Sequence, residues 1–346
     1  MKKLKFITSL VLAATLTLTS CQDEIDSESG LNPNTNSANS TATSNFERTS
    51  MYDGSFDDFV DGISCSSIMY PYTATVNNQE ITLLSQLDLS LVLNILGAIT
   101  NDEDTVILHF PLTVQLSNYT EATINSQAEY NALMDACTEA EANAEEAINC
   151  LNIDYPVTIL TFDINAEQTG SFVVETDQAL YTYMSSMGDD ERYSISYPIT
   201  ATINGDSTIE ISSDADLQTR IDECTATEKT MEEAEEDAKT LEEILADTSF
   251  KVESFLVAGI DTTSDFVDYT IAFSNDLSVV ADNSLNTVNG SYMVDSELEV
   301  MLELSFLGNT SLNLLNKTWT VTNYDENTIT LESSTTSLLK LVLVKI

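Results

Sequence analysis

The sequence predicts an α+β repeat protein, four ββα units forming two duplicated modules, followed by an all-β small barrel or sandwich. Three observations carry that expectation. First, four of the five prolines sit in one motif, aromatic-Pro-x-Thr: Tyr70-Pro71-Tyr72-Thr73, Phe110-Pro111-Leu112-Thr113, Tyr155-Pro156-Val157-Thr158 and Tyr197-Pro198-Ile199-Thr200. They are spaced by 40, 45 and 42 residues, the steady period of a repeat architecture. Second, each motif opens an alternating stretch, such as Ile195, Tyr197, Ile199, Ala201 and Ile203, and a helix-start signal follows. Third, residues 250–346 alternate apolar and polar with neither Pro nor Cys.

Composition bounds the function. The chain has 346 residues, 57 Asp and Glu against 12 Lys and Arg, and a formal charge of −45. Nucleic-acid binding needs clustered Lys and Arg, so no nucleic-acid partner is expected. Electrostatic attraction to anionic lipid is excluded on the same ground. A hydrophobic content of 42% fits a folded chain.

Residues 1–21 read as a lipoprotein signal peptide. Lys2, Lys3 and Lys5 precede an apolar stretch from Phe6 to Leu18, too short and too polar for a spanning helix. It ends in Leu18-Thr19-Ser20-Cys21, which resembles the lipobox of bacterial lipoproteins. The resemblance implies that Cys21 carries a diacylglyceryl group, becomes the mature N-terminus and anchors the chain to the outer membrane. Gln22-Asp23-Glu24 resembles the surface-export signal of Bacteroidota lipoproteins, which implies cell-surface exposure. Residues 22–50 are rich in Ser, Asn, Thr and Glu and read as a disordered tether.

Residues 51–149 and 150–249 are expected as the two repeat modules, each of two ββα units and an acidic helix. Proline at a strand start marks an edge or bulge. Asn204-Gly205 between alternating runs is a hairpin signal. Ser85 with Asp88, Ser126 with Glu129, and Ser213 with Asp216 have capping-box spacing; the third unit keeps Thr176 but loses the acid. Cys65 and Cys150 each stand six residues before their Pro, and Cys137 and Cys224 each stand 26 residues after theirs. In an oxidising compartment this duplication favours Cys65–Cys137 and Cys150–Cys224 disulfides. Four buried thiols, or a Cys137–Cys150 clip, are the alternatives. Residues 64–224 resemble the Tyr-Pro-x-Thr repeats of Bacteroidota surface lipoproteins, a likeness that implies no activity.

Residues 138–149 and 225–248 read as acidic helical stretches whose apolar stripe lies on their own domain. The turn Asn101-Asp102-Glu103-Asp104 is read as solvated, not as a cation loop. Over 250–346 turns are expected at Ser274-Asn275-Asp276, Asn289-Gly290, Gly308-Asn309 and Asp325-Glu326-Asn327. The run from Gly290-Ser291-Tyr292-Met293-Val294 through Trp319 to Lys345-Ile346 resembles the lipocalin-like C-terminal domains of the same lipoproteins. Trp319 is expected to plug the core rather than to hold a ligand.

Chemistry-bearing motifs are nearly missing. The single His109 excludes an H-E-x-x-H metalloprotease, and there is no G-x-S-x-G, phosphate loop or CxxC. No catalytic residue, metal ligand or cofactor is expected. The sequence reads as a non-enzymatic envelope protein that binds a surface protein or glycan. A carboxylate enzyme such as a glycoside hydrolase, or a purely structural envelope protein, are the alternatives.

Overall fold

A computed structural model describes residues 35–97, 104–143, 145–246, 248–308 and 312–346. The expected signal peptide with Cys21, most of the expected tether, Asn101-Asp102-Glu103 and Asn309 lie outside the described residues.

Residues 35–50, expected within the tether of 22–50, are ordered on the folded body. Strand β1 (Asn36–Ser37) pairs with Arg192–Tyr193, and helix α1 (Thr41–Thr49) follows, capped by the Ser40 side chain on the Thr43 N–H. Phe46 is fully buried in the core of the second module, and Arg48 pairs with Glu146 at 2.9 Å. A nine-residue helix of this composition is marginal alone. It forms because a preformed surface covers its one large apolar side chain. Residues 36–49 therefore belong with the second module, although they precede the first.

The first module contains β2 (Ser66–Ile68), β3 (Tyr72–Val76), β4 (Gln79–Leu83), α2 (Leu89–Leu96), β5 (Val106–Leu108), β6 (Leu112–Leu116), β7 (Glu121–Ile124) and α3 (Gln127–Ala142). The second contains β8 (Leu151–Ile153), β9 (Val157–Phe162), β10 (Gln168–Val174), α4 (Asp177–Ser185), β11 (Arg192–Ile195), β12 (Ile199–Ile203), β13 (Ser207–Ile211) and α5 (Asp214–Leu245). Both are mixed α/β. Hairpin turns at Asn77-Asn78 and Asn204-Gly205 hold both central residues at positive φ, which Asn and Gly accept most readily. The helix starts at Ser126, Thr176 and Ser213 accept a hydrogen bond from the third helical N–H, and Ser85 completes a capping box with Asp88. All four aromatic–proline bonds are cis.

Self-contained ββα units are not what the pairing shows. β3 lies between β4 and β5, while β6 lies between β7 and β2. Each short strand before a proline thus joins the sheet of the other unit. The second module repeats the exchange: β9 lies between β10 and β11, and β12 between β13 and β8. A three-residue strand cannot stand alone, and crossing ties the two sheets to each other.

The acidic helix expected over 138–149 stops at Ala142, because residues 146–148 are recruited by α1: the Ile148 N–H donates to the Arg48 carbonyl at 3.1 Å. The stretch expected over 225–248 is the second half of α5, one 32-residue helix. α5 serves two cores. Leu217, Ile221 and Cys224 pack in the second module, and Ala238, Leu241 and Leu245 pack with the β domain. A boundary at 249/250 therefore cuts one packed unit.

The C-terminal part is a closed antiparallel barrel of eight strands: β14 (Ser249–Val257), β16 (Thr270–Phe273), β17 (Ser278–Asp282), β18 (Thr287–Ser296), β19 (Val300–Phe306), β20 (Lys317–Tyr324), β21 (Thr328–Ser333) and β22 (Thr336–Lys345). Each pairs with the next in sequence and β22 closes on β14, while β15 (Ile260–Asp261) only folds back on β14. The turn expected at Asn289-Gly290 is instead the middle of β18. Gly290 stands there because a Cβ would lie 2.3 Å from the Ser305 carbonyl oxygen.

Candidate functional site

A concave feature of the described surface lies between α5 and the barrel. It is a cleft of ≈ 740 Å³, a volume typical of ligand pockets. α5 gives one wall through Glu233, Ala234 and Asp237, whose spacing puts them on one helix face. The β18–β19 hairpin gives Leu298, Glu299 and Val300, and the end of β20 gives Thr320 to Tyr324. Ala234 and Val300 form a buried apolar floor, whereas Leu298 is 54% exposed at the rim. The Tyr324 hydroxyl donates to Asp237 Oδ1 at 2.6 Å, tying the helix to the strand. No Lys or Arg lines the cleft; the neighbouring Lys229 lies 3.8 Å from Glu233.

The barrel interior is filled. Trp319 is fully buried, donates from Nε1 to the Leu315 carbonyl at 3.0 Å, and packs edge-on against Phe255. Phe250, Phe273 and Tyr292 occupy the same core in edge-to-face contacts.

A second polar feature lies inside the first module. Asp57, Asp58 and Asp61 sit on the helical turns spanning Ser55–Asp61. Asp57 Oδ2 accepts from the Ile68 N–H at 3.0 Å, and Asp61 Oδ1 accepts from the Ile63 N–H at 3.2 Å. Asp57 Oδ1, Asp61 Oδ2 and the hydroxyls of Ser66 and Tyr72 are buried with no hydrogen-bond partner among the described residues. Burial pushes Asp57 up to about 7, with the charges of Asp58 and Asp53 adding to it. Burial, then the charge of Asp57, pushes Asp61 up to about 8. Composition gave no signal for these two; an acid in an Asp-rich turn reads as solvated.

The sequence-predicted residues fall as follows. Cys65 is bonded to Cys137 and Cys150 to Cys224, each with a Cα separation of 5.8 Å. Each bond ties the entry of its module to the last helix. The His109 ring nitrogen Nε2 shares a hydrogen bond with Thr75 Oγ1 at 2.9 Å, and His109 does not line the cleft. Among the described residues no three His, Cys, Asp or Glu side chains are placed to hold a metal ion, and no helix is long and apolar enough to cross a membrane.

No protein-family model matches the chain, and no curated protein matches it. Two solved structures resemble part of it. One is a DUF4847 family protein from Bacteroides vulgatus, 16% identical, covering 30% of this chain and 96% of that one, with a TM-score of 0.25. The other is a protein from Burkholderia xenovorans, 16% identical, covering 31% of this chain and 87% of that one, with a TM-score of 0.23. Both overlays are too loose to assign a shared fold.

Proposed function

We propose that this chain is a lipid-anchored protein of the bacterial cell envelope that binds a surface protein or glycan and catalyses no reaction. The anchoring part rests on the lipobox before Cys21 and the acidic residues after it, which resemble those of Bacteroidota surface lipoproteins. The two repeat modules are duplicates of one ancestral pair of units; equivalent strand exchange and equivalent cysteine bridges support that reading. The barrel is lipocalin-like in its sequential strand order, but its interior is packed with aromatic side chains. Binding therefore falls to the outer surface. The observation that carries it is the open cleft between α5 and the barrel, with its apolar floor and mixed rim.

The test is a binding screen of the mature chain against matrix proteins and glycans, run beside Leu298→Asp. Leu298 is half-exposed, so the substitution alters the rim and spares the core. A ligand held by the cleft loses at least about tenfold in affinity, the scale of one lost anchor contact. If every ligand captured by the wild type is captured equally by the variant, the cleft is not the site. Glycan hydrolysis that disappears with one buried carboxylate would instead establish the enzyme reading.

A further inference from the structure

We propose that Asp57 and Asp61 form a proton-holding pair that makes the seating of residues 53–64 in the first module depend on pH. The segment stays packed while the pair carries its protons and is released when the pair ionises.

The geometry argues for this in three steps. The two carboxyls are four residues apart on consecutive helical turns, 0% and 6% exposed, and each is left with one oxygen unpartnered among the described residues. An ionised carboxylate there has no counter-charge. The groups that face the pair are Asp53 and Asp58 from the same segment, Tyr70 from the turn before β3, Tyr72 from β3 and Tyr130 from α3, while Glu141 of α3 faces Asp58. None is basic. A protonated carboxyl, by contrast, is neutral and gains a donor, which suits a site rich in orphan acceptors.

The second module shows that the fold does not require these polar groups. Counted from the equivalent Cys or Pro, Ser66 corresponds to Leu151, Tyr72 to Val157, Tyr130 to Leu217 and Asp57 to Ala142. Leu151, Val157 and Leu217 are core residues of that module. Asp61 corresponds to Glu146, which has Arg48 as its partner. One copy thus has an apolar interior and a paired acid. The other has an unpaired buried acid cluster, in a position that a substitution to apolar residues would relieve.

The direction follows from linkage. Below the ordinary aspartate value of 3.8 the acids are protonated whether the segment is seated or released, so pH has no effect. As pH rises past it, the released form ionises first and gains population. The gain levels off once the seated carboxyls ionise, at about 7 and about 8. With the Asp57 value alone, the opening equilibrium grows roughly 100-fold between about pH 5 and about pH 8.

Hydrogen exchange on the full mature chain, corrected for the intrinsic pH dependence of exchange, tests this. The expected result is that amides of 53–64 lose more than roughly 100-fold in protection from about pH 5 to about pH 8, the Asp57 share alone, while those of 146–153 do not. Asp57→Asn with Asp61→Asn removes the pH dependence. Should that double variant not fold, Asp61→Asn alone reduces it, and carboxyl carbon NMR of the wild type reads midpoints above about 6. Protection of 53–64 that is equal at both pH values, an unchanged pH dependence in the folded variants, midpoints below about 5, or loss spread evenly over the module would each overturn the proposal.

Discussion

Phe46→Ala is the sharpest probe of how residues 35–50 are held. Phe46 has 0% exposure and packs among the buried residues of the second module. Truncating a buried Phe costs about 3–5 kcal/mol from lost transfer energy and the cavity left behind. The rest of α1 cannot absorb that loss. Its remaining ties are polar and individually small: the Arg48–Glu146 pair at 2.9 Å, the Asn45–Gln218, Asn36–Asp214 and Thr43–Tyr193 hydrogen bonds, the Ile148 N–H on the Arg48 carbonyl, the Tyr119 hydroxyl on the Ser50 carbonyl, and the short β1–β11 pairing among them. Partly exposed pairs of this kind contribute about 1 kcal/mol or less each. The variant is therefore expected to release the whole segment, not merely to loosen it. Hydrogen exchange would show loss of protection in 41–49 and in β11, whose outer edge β1 covers, and limited proteolysis would cut within 41–49. A stability change below about 1 kcal/mol, with 41–49 already cut rapidly in the wild type, would refute the docked helix.

Four further outcomes are expected. Replacing Cys65 and Cys137 together by Ser removes a bridge that closes a 72-residue separation; chain entropy puts the cost at roughly 4 kcal/mol, read by denaturant unfolding of the first module against the oxidised wild type. The Tyr197 hydroxyl donates to Asp214 at 2.5 Å and the Tyr155 hydroxyl to Asp177 at 2.8 Å, so Tyr197→Phe and Tyr155→Phe should each cost about 1.5–3 kcal/mol. Tyr70→Phe, whose hydroxyl has no partner among the described residues, should be neutral or slightly stabilising; thermal unfolding of the three Tyr→Phe variants beside the wild type reads all of these differences. Trp319→Ala should cost about 3–5 kcal/mol and unfold the barrel first, visible in the near-ultraviolet dichroism of Phe250, Phe255 and Phe273.

What was legible in the sequence were features with a local cause. The Asn204-Gly205 turn, the Ser and Thr helix caps and the alternation of the barrel strands each follow from a few neighbouring residues. The cysteine bridges were legible because the two cysteine pairs stand at matching spacings from the prolines. What was not legible depends on tertiary contact. Nothing local in Thr41–Thr49 marks a helix; one Phe and a distant core decide it. Nothing local makes β2 choose β6, or β8 choose β12, over its own hairpin. Asn289-Gly290 has the sequence of a turn, yet the close Ser305 backbone gives the glycine a strand role. The cleft joins residues about 60 to 95 positions apart, so no spacing rule could have found it. Asp57 and Asp61 were hidden by abundance, since acids crowd this chain and few of them are buried.

The central claim, an envelope protein held by lipid at its N-terminus and binding through its folded body, is tested most directly by mass spectrometry of the chain extracted from its own membrane. The account predicts a mature N-terminus at Cys21 carrying a diacylglyceryl group, and a Cys21→Ala chain that no longer partitions into detergent. A mature chain that begins elsewhere, carries no lipid and stays membrane-bound after Cys21→Ala would contradict it.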